Sequence, residues 1–590
     1  MSDNYDFEKS SRAQDIDDYS PYVDKQYNGF INDLNSSVYT NTSLTLVQFD
    51  LGQIYNSQKF TDTNDMFIVV PITMVAGMSQ ANGTAVPPVD GNVNLLSLKS
   101  NFIHLLHQAD LQINGKTIES TQPYINIAKH FQMMSEMSVN DLTTIGSTYG
   151  FGEVVDNPRS AVWNGAAADK SGNGFTNNRV FAENGSTVGG PPINAVAFST
   201  PAHRYQTTCQ AKQNTGTIND AITSKLARYI DLTAGVANNN FVGTLVSETQ
   251  LKNEFKPTYQ VLNANYMVWY DYAVIKLSNV FESLGNIGLV RKFDCTLRLW
   301  FNTGTVNATI NNGNTIDPDY SITTGNNSFT NTCPIMINYL NDLAAKGGIP
   351  AATKNISAGC YIGKPPVTSY GGINLGASGA SSPLPACRIY YSQIQVEPQK
   401  ALTYIEQNRN KKVVYRTILS NQYNNITTNG TFNQLVNSGV VHPVGLLMIP
   451  YISSVATGLG DFQWKSPFDS CPATSAPISL TNLQVSVGGV NQLQSTLNYT
   501  YEHFVEQINV AESLTSSDFG ISCGLFNQHY WETFRHYYVN IERSALTDKN
   551  VARNVNISFQ NNSLVPIDLL TFIIYSDEFV IDCESGIIKK

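Results

Sequence analysis

The feature that most constrains the fold is an internal duplication, which a search for self-similarity reveals. The first copy runs from Leu111–Gln112 to His130–Phe131, and the second runs from Leu483–Gln484 to His503–Phe504. The leucine and the histidine are 19 residues apart in the first copy and 20 apart in the second. A chain that repeats such a pattern at nearly constant spacing is expected to fold as two units of similar design.

Each copy carries the same local signals. An apolar strand ends at residues that tolerate positive φ, which are Asn114–Gly115 in the first copy and Gly488–Gly489 in the second. An amphipathic helix is predicted to follow, because apolar side chains recur at helical spacing. The two helical stripes are Tyr124, Ile127, Phe131 and Met134, and Tyr501, Phe504, Val505 and Ile508.

The flanking segments repeat in the same order. Upstream, residues 67–72 and 446–451 are apolar strands interrupted by Pro71 or Pro450, which favours a sheet edge or a bulge over a central strand. Downstream, residues 295–301 and 555–560 alternate apolar and polar side chains, as half-buried strands do. Many short strands with Gly- and Asn-rich turns favour sandwiches or jelly rolls.

The copies differ by a long insertion in the first, which we place near residues 146–256. This segment is rich in Gly, Asn, Thr and Pro, and one helix is predicted in it over Ile218–Ile230. Loops of this length are usually functional or packed on a neighbour. A short helix is predicted over Ser278–Gly285, with Ser278 as its N-cap. Further strands are predicted over residues 44–51, 261–275, 388–396, 413–419, 520–526, 537–541 and 569–581.

The sequence therefore predicts an all-β protein of two tandem jelly-roll β-sandwiches with short helices and long inserted loops. An acidic N-terminal arm is assigned to residues 1–40, which hold eight acidic and three basic side chains. The first jelly roll is assigned to residues 41–306, with its insertion near 146–256. An Asn/Gly-rich connector follows over residues 307–385, and the second jelly roll occupies residues 386–590.

Composition excludes several classes of function. Charged residues make up 14% of the chain and the net charge is -10, so non-specific nucleic-acid binding is not expected. The longest nearly apolar run, residues 66–78, is too short to span a membrane, and the first residues do not form a secretory signal. The eight cysteines are widely spaced, which favours reduced thiols in a protein that folds in a cytosol.

Motifs for nucleotide or metal chemistry are missing from the sequence, which contains no Walker A loop, no G-x-G-x-x-G fingerprint and no H-E-x-x-H. His104 and His107 form an H-x-x-H pair among apolar residues, where packing is the expected role. Residues 529–536 combine two histidines and a glutamate with aromatic side chains, and we expect these aromatics to build core.

One sequence motif of a catalytic nucleophile is present. Gly520-Ile521-Ser522-Cys523-Gly524 fits G-x-S-x-G, whose serine in hydrolases sits between a strand and a helix. His529 and His536 follow too soon to leave room for that helix and the later strands. We therefore predict no catalytic, cofactor-binding or metal-binding residues and no cofactor, and we expect that the protein is not an enzyme.

These patterns resemble the major capsid proteins of the double jelly-roll virus lineage, most closely those of virophages and Polinton-like viruses. The resemblance covers nearly the whole chain after residue 40. It rests on the duplicated strand-turn-helix at 111–134 and 483–508, on the long insertion in the first roll, and on residues 274–284. This last segment looks like the short helix that the family places before the closing strands of its first roll.

The resemblance implies a homotrimer that forms a pseudo-hexagonal capsomer, or hexon, and tiles an icosahedral shell around the genome. It also implies contacts with neighbouring capsomers and with penton and minor capsid proteins, in a virion assembled in the host cytoplasm. The inserted loops would point outward, and the arm would lie underneath. Neither sequence-specific nucleic-acid binding nor a membrane span is expected, so a separate basic protein or a packaging motor would attract the genome.

The same architecture also suits two other functions. A bicupin needs an H-x-H pair for its metal site, and the sequence has none. A carbohydrate-binding lectin or spike-like β protein remains the main alternative, because exposed Tyr, Trp and Asn suit sugars. Such a protein would be expected to carry secretory or trimeric-fibre features, which we do not find in the sequence.

Overall fold

A computed structural model describes most of the predicted strands but not the long insertion. The described residues are 23–35, 37–54, 59–80, 94–99, 101–121, 123–150, 230–231, 258–262, 266–311, 319–322, 328–339, 354–366, 369–382, 384–453, 463–465, 478–493, 498–510, 523–526, 528, 531, 535–542, 551–563 and 566–589. The first 22 residues, most of the predicted insertion at 146–256 and nearly all of the predicted helix Ile218–Ile230 lie outside these residues.

Strands dominate the described chain, as predicted. In chain order they are β1 Val23–Asn32, β2 Leu44–Asp50, β3 Phe60–Gln80, β4 Asn94–Leu98, β5 Leu106–Ile113, β6 Lys116–Ser120, β7 Ile230–Asp231, β8 Thr258–Leu262, β9 Tyr266–Lys276, β10 Leu289–Val290, β11 Cys295–Asn302, β12 Gly304–Asn311, β13 Asp319–Ile322 and β14 Ile335–Tyr339. They continue with β15 Lys354–Ile362, β16 Ser369–Tyr370, β17 Ile373–Asn374, β18 Arg388–Val396, β19 Lys411–Ile426, β20 Thr431–Val440, β21 Pro443–Ile452, β22 Leu480–Val487, β23 Val490–Asn491, β24 Tyr537–Asn540, β25 Arg553–Asn561, β26 Ile567–Ile581 and β27 Ile588–Lys589.

The described α-helices are short. They are α1 Ile125–Glu136, α2 Val139–Ile145, α3 Leu277–Val280, α4 Glu282–Ile287, α5 Pro398–Gln407 and α6 Tyr501–Val510. The helices α1 and α6 confirm the two that the duplicated motif predicts. They follow the turns Asn114–Gly115 and Gly488–Gly489, where Gly115 and Gly489 have positive φ.

The second sandwich consists of the eight strands β19 to β26. One sheet has the order β19–β26–β21–β24, and the other has the order β20–β25–β22–β23. Counted along the chain, these are strands 1-8-3-6 and 2-7-4-5, all antiparallel. Two four-stranded sheets connected in this way form a jelly roll.

The first sandwich has the same order. Its eight main strands are β1, β2, β3, β5, β6, β9, β11 and β18, which pair as β1–β18–β3–β9 and as β2–β11–β5–β6. Counted along the chain, these are again 1-8-3-6 and 2-7-4-5. The predicted fold class, an all-β protein of two tandem jelly-roll sandwiches, is confirmed.

Strand pairing corrects two of the predicted domain boundaries. β1 lies within the residues assigned to the acidic arm, 1–40, yet it pairs with β18 through Ile31 and Ile389. β18 was assigned to the second roll, 386–590, yet it also pairs with β3 and so closes the first sandwich. The first sandwich therefore spans residues 23–396. The eighth strand of a jelly roll inserts between the first and third, so a long loop before it can hide which sandwich it completes.

The predicted connector, 307–385, is also more ordered than its composition indicates. Within it, β15 pairs with residues 72–80 of β3, and β12 pairs with β15. β3 thus has two halves, because residues 60–69 pair with β18 inside the sandwich while residues 72–80 extend the sheet beyond it.

Three local predictions need correction. Pro71 and Pro450 lie in central strands and not at a sheet edge. Pro71 is unpaired on one side among the described strands, because β3 changes partner between Val69 and Ile72. Pro450 is likewise unpaired on one side, because β24 pairs with β21 only as far as Met448. The predicted helix Ser278–Gly285 is two helices separated by Phe281, and its N-cap is Lys276. Of the predicted strand 520–526, residues 523–526 form a turn and the rest lie outside the described residues.

We expect Ile31→Ala to destabilise the first sandwich, because Ile31 is buried in the core although it lies in the predicted arm. The free energy of unfolding should fall by about 2–4 kcal/mol, as for other large-to-small core changes. A lower urea midpoint would show this. Asn28→Ala on the exposed side of the same strand is the control, with a change of less than about 0.5 kcal/mol. Equal midpoints for the two variants would contradict the assignment of β1 to the core.

Candidate functional site

The histidine pair of the sequence lies in the core. His104 and His107 are both buried; the His104 ring lies 4.6 Å from the His130 ring, and the His107 ring meets Tyr124 edge-on at 5.5 Å. Burial lowers the pKa of His107 to about 4, so its imidazole is neutral at physiological pH. Both histidines therefore lie in the core, and packing stays the role predicted for them. Among the described residues, no group of three or more His, Cys, Asp or Glu side chains is placed to hold a metal ion.

The two remaining chemical motifs lie largely outside the described residues. Of the segment 529–536, Trp531 and His536 are buried, and Arg535 lies 4.2 Å from the Trp531 ring. Of the G-x-S-x-G motif, only Cys523 and Gly524 are described, and the Cys523 thiol donates to the backbone oxygen of Phe526 at 3.0 Å. The predicted core role of the aromatic residues fits Trp531.

The arrangement that the fold does build is an extensive interface between the two sandwiches. At its centre the duplicated helices meet, with Phe131 of α1 and Phe504 of α6 at 6.4 Å between ring centroids. Phe131 also stacks on His536 at 5.8 Å and on Tyr538 at 5.7 Å, both from the second sandwich. The aromatic residues of the repeated motif thus form one shared cluster, which burial and ring contacts stabilise.

A polar layer lies beside this aromatic cluster. Arg416 of β19 donates from Nε to both oxygens of Glu282 in α4, at 2.9 and 3.1 Å. The Tyr415 hydroxyl donates to the backbone oxygen of Ile118 at 2.8 Å, and Asn286 Nδ2 donates to the backbone oxygen of Val414 at 2.9 Å. These directional bonds fix the orientation of β19 against the first sandwich.

The last residues of the second sandwich bind back to the first. The Arg291 amide donates to the backbone oxygen of Cys583 at 2.8 Å, and Lys116 Nζ donates to that of Ile588 at 3.0 Å. Asn114, in the turn of the first duplicated motif, donates its side-chain amide to the backbone oxygen of Gly586. The two sandwiches are therefore held together at both the helices and the strand turns.

Buried charges accompany the interface. Glu119 is buried and accepts a hydrogen bond from the Ser283 hydroxyl at 2.8 Å. Burial raises the pKa of Glu119 to about 7, against the opposing attraction of Lys129. Burial likewise lowers the pKa of Lys129. A cavity of about 540 Å³ lies alongside, lined in part by Lys129, Glu136, Glu282 and Arg416.

The sequence did not predict this interface. Glu282 and Arg416 are 134 residues apart, and neither lies in a recognisable motif. The duplication is the sequence signal that points to the interface, because it identifies α1 and α6. These are the two helices that meet there.

Phe131→Ala should loosen the second sandwich although the change lies in the first. The lost ring contacts should lower the free energy of unfolding by about 3–5 kcal/mol. Hydrogen exchange should accelerate at residues 537–540, since Tyr538 loses its stacking partner. Phe301→Ala, a change of the same size in β11, is the control and should not accelerate exchange there selectively. Equal exchange in both variants would mean that Phe131 does not couple the sandwiches.

Glu119→Gln should change how stability depends on pH. The folded protein holds the Glu119 proton between pH 4.5 and about 7, whereas the unfolded chain releases it. The free energy of unfolding of the wild type should therefore fall as pH rises through this window, by up to about 1.4 kcal/mol per pH unit. Urea midpoints at about pH 5 and about pH 8 measure the slope.

The glutamine variant should lose this component of the slope, because it has no proton to release. Glu578→Gln changes an exposed carboxylate and should keep the wild-type slope. The same slope in Glu119→Gln as in the wild type would contradict the raised pKa.

Comparisons with known proteins give likenesses of structure. No family model matches the sequence, and no curated protein sequence matches it. The fold is similar to a chain of the Sputnik virophage cryo-EM structure, with a TM-score of 0.46 and 8% identity over 96% of this chain and 88% of that chain. It is similar to the mavirus major capsid protein, with a TM-score of 0.40 and 10% identity over 95% of this chain and 89% of that chain.

A chain of the PBCV-1 virus capsid model has a TM-score of 0.37 and 8% identity, over 97% of this chain and 98% of that chain.

Proposed function

We propose that this chain is a viral major capsid protein, which trimerises into pseudo-hexagonal capsomers that tile an icosahedral shell around the genome. The observation that carries the proposal is the identical strand order of the two sandwiches, held side by side by a buried interface. Three such chains related by a closed threefold axis place six similar blocks in a ring. A ring of six similar blocks is a unit that can tile a shell.

The way the sandwiches join suits a building block. Interfaces between domains of one chain usually allow relative motion unless they are large and apolar. Here one core cluster includes residues of both sandwiches, from Ile31 of β1 to Ile588 of β27. A block whose halves hold a fixed angle can repeat the same contacts at every position of a shell.

The other roles follow from this proposal. The protein acts as a structural component of the virion, without catalysis, and contacts neighbouring capsomers together with penton and minor capsid proteins. It is assembled in the host cytoplasm. With a net charge of -10, the chain leaves genome attraction to another component. None of the described helices has the length and hydropathy that crossing a bilayer requires.

The lectin alternative finds less support in the described residues. Sugar-binding proteins stack exposed aromatic rings on the ligand. Trp269, Trp464 and Trp531 are each only 1% exposed and belong to the core. These tryptophans are therefore unsuited to stacking on a sugar.

The oligomeric state of the recombinant full chain tests the proposal. Size-exclusion chromatography with light scattering should give three times the chain mass of 64.8 kDa. Electron microscopy of the same fraction should show particles of hexagonal outline that associate into sheets or shells. A monodisperse monomer at all concentrations would overturn the proposal and favour a binding protein.

A further inference from the structure

Residues 582–589 form a compact hairpin with the end of β26, the closing strand of the second sandwich. β26 ends at Ile581, and β27 turns back to pair with it. Within the turn, the Gly586 amide donates to the backbone oxygen of Asp582 at 2.8 Å, and the Asp582 amide donates to that of Ile587 at 3.0 Å. We call residues 582–589 the β27 hairpin. Its internal hydrogen bonds hold its shape, so it can attach or detach as one unit.

The β27 hairpin is attached to the first sandwich by its main chain. Three donors of the first sandwich bind its backbone oxygens: Lys116 Nζ binds that of Ile588, the Asn114 side-chain amide binds that of Gly586, and the Arg291 amide binds that of Cys583. Because every acceptor is a main-chain atom, the attachment depends on where the backbone of the hairpin lies. Hydrogen bonds weaken steeply as their geometry worsens, so a small shift of the hairpin weakens all three together.

A close approach of two backbones defines the docked position. Gly586 has a φ of 68°, which residues with a side chain rarely adopt, and a Cβ at this position would overlap the backbone oxygen of Lys292 in the first sandwich. Glycine is the one residue type that allows this approach. Any side chain at position 586 would therefore push the hairpin away from the first sandwich.

Strand register places the β27 hairpin far from the aromatic cluster. Tyr538, which stacks on Phe131, is in line with Phe572 of β26 across β21. β26 continues for nine residues beyond Phe572, as far as Ile581, before the hairpin begins. At about 3.4 Å per residue, the two attachments are roughly 30 Å apart along the strands. An attachment so far from the cluster resists rotation of one sandwich against the other.

The angle between the sandwiches decides whether a ring can close. Contacts that repeat around a ring close it when the rotation between neighbouring blocks divides a full turn, and they give open assemblies otherwise. In the proposed trimer, half of the contacts between neighbouring blocks are those inside each chain. A closed ring therefore requires each chain to hold its two sandwiches at one angle.

We propose that the β27 hairpin is a latch: when docked it fixes the angle between the two sandwiches, and the latched chain is the form that closes into a trimer. The proposal rests on the proposed function, because it names the part of the chain that controls ring closure. Two residues of the hairpin, Cys583 and Ile588, belong to the shared core. Most of that cluster lies elsewhere, so the hairpin opens without unfolding the sandwiches.

The full-length protein with Asn114→Asp tests the latch. Aspartate keeps the size of asparagine and tolerates the positive φ of this position, but its carboxylate repels the Gly586 oxygen instead of donating to it. Hydrogen exchange should accelerate about tenfold at the Arg291 amide, which loses its acceptor when the hairpin opens. The dissociation constant of the trimer, measured by mass photometry over a dilution series, should rise about tenfold or more.

Asn429→Asp is the matched control. Asn429 also precedes a glycine and has positive φ, but it lies in the turn between β19 and β20 with its side chain exposed. The same substitution there should leave both the Arg291 exchange rate and the trimer unchanged.

Gly586→Ala should open the latch further, because the added methyl group meets the Lys292 oxygen. Gly489→Ala is its control: it adds a methyl group at a similar positive φ, where nothing beyond the adjoining residues lies within 4 Å of the Cβ. Both variants carry the backbone strain of positive φ, and Gly586→Ala alone adds the collision. It should raise the Arg291 exchange rate and the trimer dissociation constant more than Asn114→Asp does, while the control should raise neither.

Circular dichroism equal to that of the wild type would show that the variants fold, and Asn114→Asp keeps the test valid where Gly586→Ala does not fold. Faster exchange at Arg291 together with a wild-type trimer would overturn the control of ring closure and leave the proposed function standing. Unchanged exchange at Arg291 in both hairpin variants would overturn the latch itself. A wild type that remains monomeric at all concentrations would instead refute the proposed function.

Discussion

Burial of apolar side chains in a core shared by both sandwiches is the constraint on which the rest of the structure depends. The cluster around Phe131, Phe504 and Tyr538 joins α1, α6 and β24, so neither sandwich has a complete core without the other. The Arg416–Glu282 pair alone would not achieve this, because partly exposed ion pairs contribute little stability. The Arg416–Glu282 pair instead orients the two sandwiches, and apolar burial stabilises the contact between them.

Much of the fold could be predicted because its signals are local. Alternating apolar residues identify β11 and β25, and helical spacing identifies α1 and α6. The predicted repeat was nevertheless misaligned in one place. The turns and the strand pairing match Leu111 with Val485 rather than with Leu483, since Leu111 pairs with Leu297 and Val485 with Ile557 at corresponding positions of β11 and β25. A shift of two residues keeps every side chain on the same face of a strand, so the hydrophobic pattern cannot detect it.

The remaining differences come from contacts between residues distant in sequence. Six of the eight acidic residues of the predicted arm precede Val23, and their charge masked the strand β1 that follows. β18 was predicted as a strand, but only its pairing with β1 and β3 assigns it to the first sandwich. The interface was missed for the same reason, since the burial of Glu119 depends on how β6, α1 and α4 come together. The sequence pattern of one strand or helix does not show which other elements pack against it.

The two sandwiches are equivalent only in part, because the third strand of the first sandwich is longer than that of the second. β3 has 21 residues and its counterpart β21 has 10, so at about 3.4 Å per residue β3 is longer by roughly 37 Å. Most of the additional length lies in the half that pairs with β15, and β12 extends the same sheet. In the ring of three chains that we propose, the sandwich layer would repeat six times while this extension would repeat three times. The extension is free to differ between the two sandwiches, because the contacts described between α1, α6 and β19 do not involve it.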